Sequence, residues 1–467
     1  MLRKPRRDDL LELEVEQLDE RGHGVGVAQL ASGDYRVQVR HALPGERVQV
    51  RVLRRRKQRI EALELETLRA SPARVAARCA HFGPCGGCSL QDLAYTAQLA
   101  EKRRQVESAL RAVGCAVEVE ALIACDEPWR YRNKMDFTFG SRRWVQRDEP
   151  AGVAQGFALG LHPREQFRKV LDIEGCAIQF ERGDRLVRDA RRLALERGLT
   201  PWDLVRHEGL LRHLVLRESR ASGELLVQLT TSSEAPELVR PYVDALLVMH
   251  PEISTLVQAI NSRGATIASG ERELVLHGTG LIRERLAGLW FEISASSFFQ
   301  TNTAQAEKLV ATTLAEAACG AGDRVLDLYC GAGSLSLPLA RQAGHVHGVE
   351  LVEAAVRDAR RNAQANGIAN VSFSAGDVLE WMRGGEAASA NVIVVDPPRA
   401  GLHPKVVELL SASRARRIVY VSCNVNAASR DLALLASAGW TALRARPVDM
   451  FPHTPHVECV LTLERRA

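Results

Sequence analysis

A cysteine at the end of an apolar segment is the first candidate for chemistry in this sequence. Residues 417–424 read Arg-Ile-Val-Tyr-Val-Ser-Cys-Asn, and such a β-branched run predicts a strand buried on both faces that ends near Cys423. Open α/β sheets bind their ligands at the carboxyl ends of their strands. A lone cysteine is usually an inert small hydrophobic residue, so Cys423 needs reactive neighbours to be a candidate nucleophile.

Three further segments carry polar groups at the ends of predicted strands. Residues 325–333 run from a strand into a glycine turn, and residues 392–399 combine a strand with Asp-Pro-Pro-Arg. Residues 457–460 contain Glu458 within an apolar run. Because strand ends in one open sheet meet at the same edge, the four segments are predicted to line one crevice.

The acids of this crevice favour S-adenosylmethionine as the cofactor over a dinucleotide. Residues 331–333 let the backbone approach a ligand, and Glu350 ends the next strand about twenty residues later, where an acid typically binds ribose hydroxyls. The third glycine of a dinucleotide site is absent near Ser336. Asp377 and Asp396 add acids on two further predicted strands.

The residue after the Asp-Pro-Pro sequence argues for methylation of carbon rather than of an amine. Enzymes that methylate exocyclic amines have an aromatic residue there, whereas this chain has Arg399. Uracil C5 is a weak nucleophile, so a thiolate must first add to C6, and a base must later remove the C5 proton. The sequence therefore predicts Cys423 as the nucleophile and Glu458 as the base.

Three clustered cysteines, Cys79, Cys85 and Cys88, predict a metal centre. The chain has ten cysteines and a charged amino terminus, so we expect a reducing compartment in which cysteines serve metal binding or catalysis. No second close pair follows, which favours an iron–sulfur cluster over zinc, although zinc also uses irregular spacings. The candidates for a distant fourth ligand are Cys115, Cys125 and Cys176.

The amino-terminal part of the chain has the pattern of a small barrel. From Leu11 to Leu65, apolar residues alternate with polar ones in about five short runs separated by glycines, which predicts an OB-like antiparallel barrel. Residues 51–59 contain six cations, and such clustering favours a polyanion such as RNA as the partner. The alternative is a barrel that only packs against its neighbour.

The remaining sequence changes character near residue 291. Residues 90–113 predict an amphipathic helix with Lys102, Arg103 and Arg104 on its polar side, and a mainly antiparallel region follows it. In that region, residues 129–134 and 142–144 interleave cations with aromatics, as suits stacked bases and phosphates. Core aromatics beside surface arginines would give the same pattern. From residue 291 onward strands alternate with helices, which predicts a doubly wound α/β sheet.

At 467 residues, with 46% hydrophobic residues, the chain is long enough for two or three domains. The predicted boundaries are 1–72, 73–290 and 291–467, and the helix of residues 90–113 could pack on the last of them. No run approaches the ~18 apolar residues of a membrane span, so we expect a cytoplasmic protein with no membrane partner.

The four motifs of the crevice closely resemble those of the RNA uracil-5-methyltransferase family, and the cysteine trio with a TRAM-like barrel resembles its iron–sulfur 23S ribosomal RNA branch. The resemblance implies C5-methylation of a 23S ribosomal RNA uridine by a protein that acts as a monomer. It implies Cys423 as nucleophile, Glu458 as base and S-adenosylmethionine as cofactor. Tyr329 and Ser334 replace an expected phenylalanine and asparagine. The cofactor contacts implied are Gln300, Tyr329, Ser334, Glu350, Asp377 and Asp396, and the [4Fe-4S] ligands implied are Cys79, Cys85, Cys88 and Cys176.

Two other functions are compatible with parts of this pattern. One is a non-catalytic RNA-binding protein on a degenerate methyltransferase fold, against which the intact Cys423, Glu458 and cofactor acids argue. The other is RNA cytosine-5 methylation, which also uses thiolate attack on C6. The base is selected by hydrogen bonds to the pyrimidine edge, and nucleoside mass spectrometry of methylated RNA separates the two enzymes.

Overall fold

The structure is a computed structural model that describes residues 4–146, 149–150, 152–264, 267–385 and 389–465. Within these residues the strands form four sheets, of six, seven, two and seven strands. No helix in these ranges is both long and apolar enough to cross a membrane.

The first sheet is a six-stranded barrel-like sheet with strand order β1-β5-β6-β4-β3-β2. Neighbouring strands are antiparallel except for the parallel pair β4 and β6. Of the alternating residues predicted from the sequence, Val48, Val50 and Val52 are fully buried, whereas Leu63 and Leu65 are exposed, because the last strand buries Ile60 and Ala62 instead. The sheet has six strands where the sequence predicts about five. One of them, β2, is only two residues long and is too short to show alternation. The strands are β1 (Leu10–Glu14), β2 (Gln17–Leu18), β3 (Gly24–Leu30), β4 (Gly33–Val39), β5 (Arg47–Arg56) and β6 (Arg59–Arg69).

The predicted helix of residues 90–113 is α1 (Tyr95–Ala112), which begins five residues later than predicted. The prediction that Lys102 lies on its polar side is wrong. The Lys102 side chain is fully buried, and its Nζ lies 2.5 Å from Oδ1 of the equally buried Asp449. The helix therefore buries a charged residue because a carboxylate far along the chain neutralises it.

The second sheet has the order β13-β12-β11-β10-β7-β8-β9. The hairpin predicted around residues 221–223 is confirmed, because β10 and β11 pair antiparallel there. The sheet is antiparallel except between β11 and β12, which α3 connects. Its elements are β7 (Lys134–Gly140), β8 (Ala158–Leu161), β9 (Leu171–Asp172), α2 (Glu181–Glu196), β10 (Leu211–Glu218), β11 (Leu225–Thr231), α3 (Pro236–Met249), β12 (Thr255–Ile260) and β13 (Arg272–His277).

The aromatic and cationic residues near 130 serve internal packing rather than an open stacking surface. Tyr131 is only 2% exposed, and its hydroxyl donates a hydrogen bond to the Pro452 carbonyl at 3.1 Å. Arg130 forms an ion pair with Asp184 at 2.6 Å. The expectation that Tyr131 stacks on RNA bases is therefore wrong.

The last sheet is the predicted doubly wound one, with order β18-β17-β16-β19-β20-β22-β21, preceded by the hairpin of β14 and β15. Its first five strands are parallel, and β22 runs antiparallel between β20 and β21. The elements are β14 (Leu281–Leu286), β15 (Leu289–Ser294), α4 (Thr303–Ala317), β16 (Arg324–Leu328), α5 (Ser336–Ala340), β17 (His345–Glu350), α6 (Glu353–Ala365), β18 (Val371–Ala375), α7 (Val378–Arg383), β19 (Val392–Val395), α8 (Pro404–Ala412), β20 (Arg417–Ser422), α9 (Val425–Ser437), β21 (Trp440–Val448) and β22 (Glu458–Arg465).

Candidate active site

The two residues predicted to react with substrate lie at the adjacent ends of two neighbouring strands. Ser422 at the end of β20 pairs with Cys459 near the start of β22, and the next residues outward are Cys423 and Glu458. Residues that face each other in an antiparallel pair project to the same side of the sheet. Glu458 is 5% exposed, while Cys423 is partly exposed. The thiol can therefore be reached from solvent, and the carboxyl group lies in the wall beside it.

The protonation of both groups is set by burial and by their neighbours. Burial raises the pKa of Glu458 to about 8, and Asp396 raises it further while Arg399 opposes the shift. Burial likewise raises the pKa of Cys423 to about 11, with contributions from Glu458 and Asp396 against Arg399. Added positive charge in this crevice would favour the ionised form of each group.

The Asp-Pro-Pro-Arg segment borders the same crevice. Asp396 follows β19, its backbone N–H donates to the Leu328 carbonyl at 3.2 Å, and burial raises the pKa of its side chain to about 7. The Arg399 carbonyl accepts a hydrogen bond from Asn424 Nδ2 at 2.8 Å. Because Asn424 directly follows Cys423, this bond holds the arginine loop beside the thiol.

A pocket of about 270 Å³ opens in front of Cys423. Arg399 and His456 form part of its wall, and burial with nearby Arg399 lowers the pKa of His456 to about 4, so that this imidazole is neutral at pH 7. The remaining wall includes Glu20 from the first sheet and Gln105 from α1. Sequence analysis missed these last two residues, since no local pattern links them to the crevice.

The glycine turn after β16 is braced by the acid at the end of β17. Glu350 Oε2 accepts a hydrogen bond from Gly331 N–H at 3.1 Å, and its Oε1 accepts one from Val352 N–H at 2.8 Å. Gly331 has φ +54°, and a Cβ added there would meet no atom within 4 Å. The turn therefore faces open space that a ligand can occupy.

Tyr329 and Asp377 lie near each other beside this turn. Tyr329 has the left-handed φ of +66°, and its N–H donates to the Val349 carbonyl at 2.9 Å. Burial raises the Tyr329 pKa to about 12, with a further contribution from Asp377. Asp377 is exposed and caps α7, because its Oδ1 accepts hydrogen bonds from Leu379 and Glu380 N–H at 2.9 and 3.2 Å.

The other two predicted cofactor residues are also partly buried. Ser334 belongs to the same turn as Gly331, and Gln300 precedes α4. The Gln300 carbonyl accepts a hydrogen bond from Asn133 Nδ2 at 3.1 Å, which ties this segment to the second sheet.

A further acid, Asp327, was not singled out from the sequence as a site residue. Asp327 is fully buried beneath the glycine turn, where Ser336 Oγ donates to its Oδ2 at 2.5 Å. Its Oδ1 has no hydrogen-bond partner within the described ranges, and burial raises its pKa to about 7. With Glu350 and Asp396, it makes the edge of the sheet suited to a cationic ligand that carries hydroxyl or amino groups.

The four cysteines Cys79, Cys85, Cys88 and Cys176 line one cavity of about 170 Å³. The other two candidates lie elsewhere, since Cys125 contacts Asn302 and Cys115 packs in the apolar core beside α1. None of the four is in a disulfide. Across the described part of the chain, however, no three His, Cys, Asp or Glu side chains are arranged to hold a metal ion.

The loop of residues 449–457, which leads into β22, joins this cavity to the crevice. The His453 carbonyl accepts hydrogen bonds from the N–H groups of Ser89 and Leu90 at 2.9 and 3.0 Å, directly after Cys88 in the chain. The His453 ring also stacks on Trp129 with centroids 3.7 Å apart. The cysteine cavity thus contacts the loop that positions Glu458.

Comparisons with known proteins support an enzyme that acts on RNA. The sequence model of a family described as tRNA (Uracil-5-)-methyltransferase matches residues 281–466. An uncharacterized RNA methyltransferase from Chlorobaculum tepidum is 38% identical, over 98% of this chain and 97% of that protein. Another from Halalkalibacterium halodurans is 37% identical, with the same shares covered.

A solved structure is similar over nearly the whole chain. The Pyrococcus abyssi tRNA (uracil-54, C5)-methyltransferase, in complex with S-adenosyl-L-homocysteine, has 29% sequence identity and a TM-score of 0.75. The match covers 97% of this chain and 100% of that one. The similarity therefore includes the parts that precede the doubly wound sheet.

Proposed function

The chain belongs to the RNA uracil-5-methyltransferase family, and from that premise we propose that it methylates C5 of a specific uridine in 23S ribosomal RNA. The observation that carries the proposal is that Cys423, directly after β20, and Glu458, the first residue of β22, lie close enough at one edge of the doubly wound sheet for the Glu458 charge to raise the Cys423 pKa. A thiol and a buried carboxyl group on one side of a pyrimidine ring are the two groups that C5-methylation requires.

Cys423 acts first in the proposed mechanism. Its thiolate forms a bond to uracil C6, and the electrons of the C5–C6 double bond move toward C5 and O4, which makes C5 nucleophilic. Bound S-adenosylmethionine would supply the methyl group: as C5 bonds to it, the sulfur–methyl bond breaks and S-adenosyl-L-homocysteine leaves. Arg399 assists this stage because its positive charge opposes the rise in the Cys423 pKa.

Glu458 acts second. Its carboxylate removes the C5 proton, the C5–C6 double bond re-forms, and the C6–S bond breaks to return the thiolate. Burial makes Glu458 a stronger base than an exposed glutamate, because its pKa of about 8 lies well above the ordinary value. The same group is then poised to exchange protons near neutral pH.

The proposed cofactor site lies around the glycine turn. Support comes from the open space in front of Gly331 and from the acids that converge beneath it. Glu350 suits ribose hydroxyls, while Asp396 lies between this turn and Cys423, as a group that faces the methyl donor should. The side chains proposed to contact S-adenosylmethionine are Gln300, Tyr329, Ser334, Glu350, Asp377 and Asp396.

We propose that the cysteine cavity holds a [4Fe-4S] cluster on Cys79, Cys85, Cys88 and Cys176. Four soft donors around one cavity suit iron and sulfide. The cysteines have one close pair, Cys85 and Cys88, and no second close pair as in a four-cysteine zinc ribbon, which favours a cluster over zinc. The cluster would link the segment before α1 to the second sheet.

The choice of 23S ribosomal RNA rests on the cysteine set together with the cation-rich β5–β6 hairpin. The Pyrococcus abyssi enzyme acts on tRNA, so the test must offer both substrates. A ribosomal RNA substrate implies a cytoplasmic enzyme, and a monomer suffices because Cys423 and Glu458 belong to one chain.

The test is nucleoside mass spectrometry after incubation with isotopically labelled S-adenosylmethionine. Unmodified 23S ribosomal RNA and a pool of unmodified tRNA transcripts are supplied separately. We expect labelled 5-methyluridine at one position of the ribosomal RNA. Label only in tRNA would overturn the proposed substrate, and labelled 5-methylcytidine would overturn the proposed base.

A further inference from the structure

The pocket in front of Cys423 has a wall that the catalytic sheet does not supply. Gln105 and Ala109 of α1 line it, as does Glu20 from the loop between β2 and β3. Gln105 Nε2 is buried and finds no hydrogen-bond partner among the described residues. A buried amide donor without a partner is unfavourable, so its presence in a pocket wall calls for a ligand that accepts a hydrogen bond from it.

The helix that carries Gln105 is fixed on two sides. Toward the catalytic sheet, Lys102 pairs with Asp449 at 2.5 Å. Toward the first sheet, Glu101 accepts a hydrogen bond from Leu18 N–H at 2.9 Å, and Arg104 donates to the Leu18 carbonyl at 2.7 Å. Gln105 lies within one turn of all three anchoring residues, so its amide has a defined position relative to Cys423.

The charges around the pocket indicate which part of an RNA meets this amide. The lining contains one carboxylate, Glu20, and one guanidinium, Arg399, so its charges offset each other and it is not a site built for a phosphate group. Attack by Cys423 requires the pyrimidine ring itself to enter. The polar groups of that ring that can accept a proton from an amide are its carbonyl oxygens.

We propose that Gln105 is a specificity-determining residue that donates a hydrogen bond from Nε2 to a carbonyl oxygen of the target pyrimidine. The inference rests on the proposed function, since it concerns the substrate of the same pocket. It assigns base recognition in part to α1, outside the doubly wound sheet.

The test compares Gln105→Leu and Gln105→Asn with wild type, each as the full-length protein. The matched control is Glu107→Gln, on the same helix, which removes an exposed contact to Arg103 and leaves the pocket unchanged. We expect Gln105→Leu to lower kcat/KM by about tenfold or more, with partial recovery in Gln105→Asn and no effect in the control. The unfolding midpoint should not fall in any of these variants, so that a loss of activity cannot come from unfolding.

A second measurement separates contact with the base from contact with the backbone. Equilibrium binding is measured for wild type and Gln105→Leu on a 23S RNA fragment containing the methylated position, with either uridine or an abasic nucleotide there. Gln105→Leu should bind the uridine RNA more weakly than wild type does, and the two proteins should bind the abasic RNA with equal affinity. A penalty of equal size on both RNAs, or none on either, overturns the inference.

Failure of the proposed function would look different. RNA with 5-fluorouridine at the target should trap wild type as a covalent adduct, because a base cannot remove fluorine from C5 as it removes a proton. Absence of trapping and of methyl transfer in wild type would reject the function. Trapping in wild type at a rate equal to that of Gln105→Leu would reject only the role of Gln105.

Discussion

Cys423, the residue directly after β20, and Glu458, the first residue of β22, lie next outward of the last pair in that ladder, Ser422 and Cys459. Cβ atoms of facing residues in an antiparallel pair are about 4.5–5.5 Å apart, which is close to the span of one pyrimidine ring. A base bound over this pair can therefore present C6 to the thiol and C5 to the carboxyl group without moving between steps.

Replacing each member of this pair should stop the reaction at a different stage. Cys423→Ala should form no covalent adduct, because the bond to C6 cannot form. Glu458→Gln should accumulate protein cross-linked to methylated RNA, because the C5 proton stays in place. Denaturing gels and mass spectrometry of the adduct measure both outcomes. A cross-link in Cys423→Ala, or normal turnover in Glu458→Gln, would contradict the assignment.

Release of methylated RNA should become faster as pH rises toward about 8. The pKa of Glu458 is raised to about 8, so below that pH the group is mostly protonated and cannot accept the C5 proton. The release rate should then increase by about tenfold per pH unit up to the pKa and level off above it. Single-turnover release from the preformed adduct measures this step alone.

The charge of Arg399 should determine the pH at which the release rate levels off. Because Arg399 lowers the pKa of Glu458, Arg399→Met should shift the release profile to higher pH, while Arg399→Lys should keep it close to wild type. Glu458→Gln serves as the baseline, since its residual release should not follow the same curve. Identical profiles for the methionine and lysine variants would show that the charge does not act on this carboxyl group.

The buried ion pair of Lys102 and Asp449 should be costly to break from one side. Lys102→Met leaves the buried Asp449 carboxylate with only its Tyr95 partner, and should lower the free energy of unfolding by about 3–5 kcal/mol. The double variant Lys102→Met/Asp449→Leu should recover much of that loss. Denaturant titration of Lys102→Met, Asp449→Leu and the double variant measures the coupling, and purely additive losses would refute it.

Protein purified without oxygen should contain iron and acid-labile sulfide. The expectation follows from the cavity that Cys79, Cys85, Cys88 and Cys176 line together. Cys176→Ser should lose most of the iron, whereas Cys115→Ser, outside the cavity, should retain it. Elemental and sulfide analysis provide the measurement. Stoichiometric zinc without sulfide would reject the cluster.

The tip of the β5–β6 hairpin should contribute to RNA affinity through charge. Arg54 is paired with Glu61 at 2.6 Å, but Arg56, Lys57 and Arg59 are exposed at the tip. Replacing these three by alanine should flatten the slope of log affinity against log salt by about two units, from a coefficient near 0.7 per phosphate. S-adenosylmethionine affinity should not change.

The control for this experiment removes three exposed arginines from another part of the molecule. Arg185, Arg192 and Arg240 lie on α2 and α3, and their replacement by alanine should leave the slope unchanged. An equal slope for wild type and the hairpin variant would mean that the first sheet only packs against its neighbours.

Much of the crevice could be predicted because each of its parts is local in sequence. The β-branched run before Cys423 predicts one strand, and the glycine turn after β16 marks the end of another. Each signal lies within about ten residues of sequence. Parallel strand ends must meet at one edge, so the position of Glu350 and Asp396 followed from topology alone.

The features that could not be predicted depend on distant partners. The local pattern puts Lys102 on the polar side of a helix. Its burial could not be predicted, because the carboxylate that neutralises it lies 347 residues away. The sequence pattern suggests that Tyr131 is available for stacking, but its hydroxyl donates a hydrogen bond to the distant Pro452 carbonyl. Gln105 carried no signal at all, since a glutamine on a helix becomes notable only when the surrounding surface is known.

The loop that positions Glu458 also has a consequence for how the protein is made. Gln98 Oε1 accepts from His453 N–H across a separation of 355 residues. Closing a flexible loop of that length costs about 3 kcal/mol more than closing one of about ten residues. During synthesis the amino-terminal segments are made first, so α1 must wait for most of the chain before Asp449 can neutralise Lys102. Docking of the loop therefore belongs to a late stage of folding, and until it occurs α1 carries a lysine without the carboxylate that allows its burial.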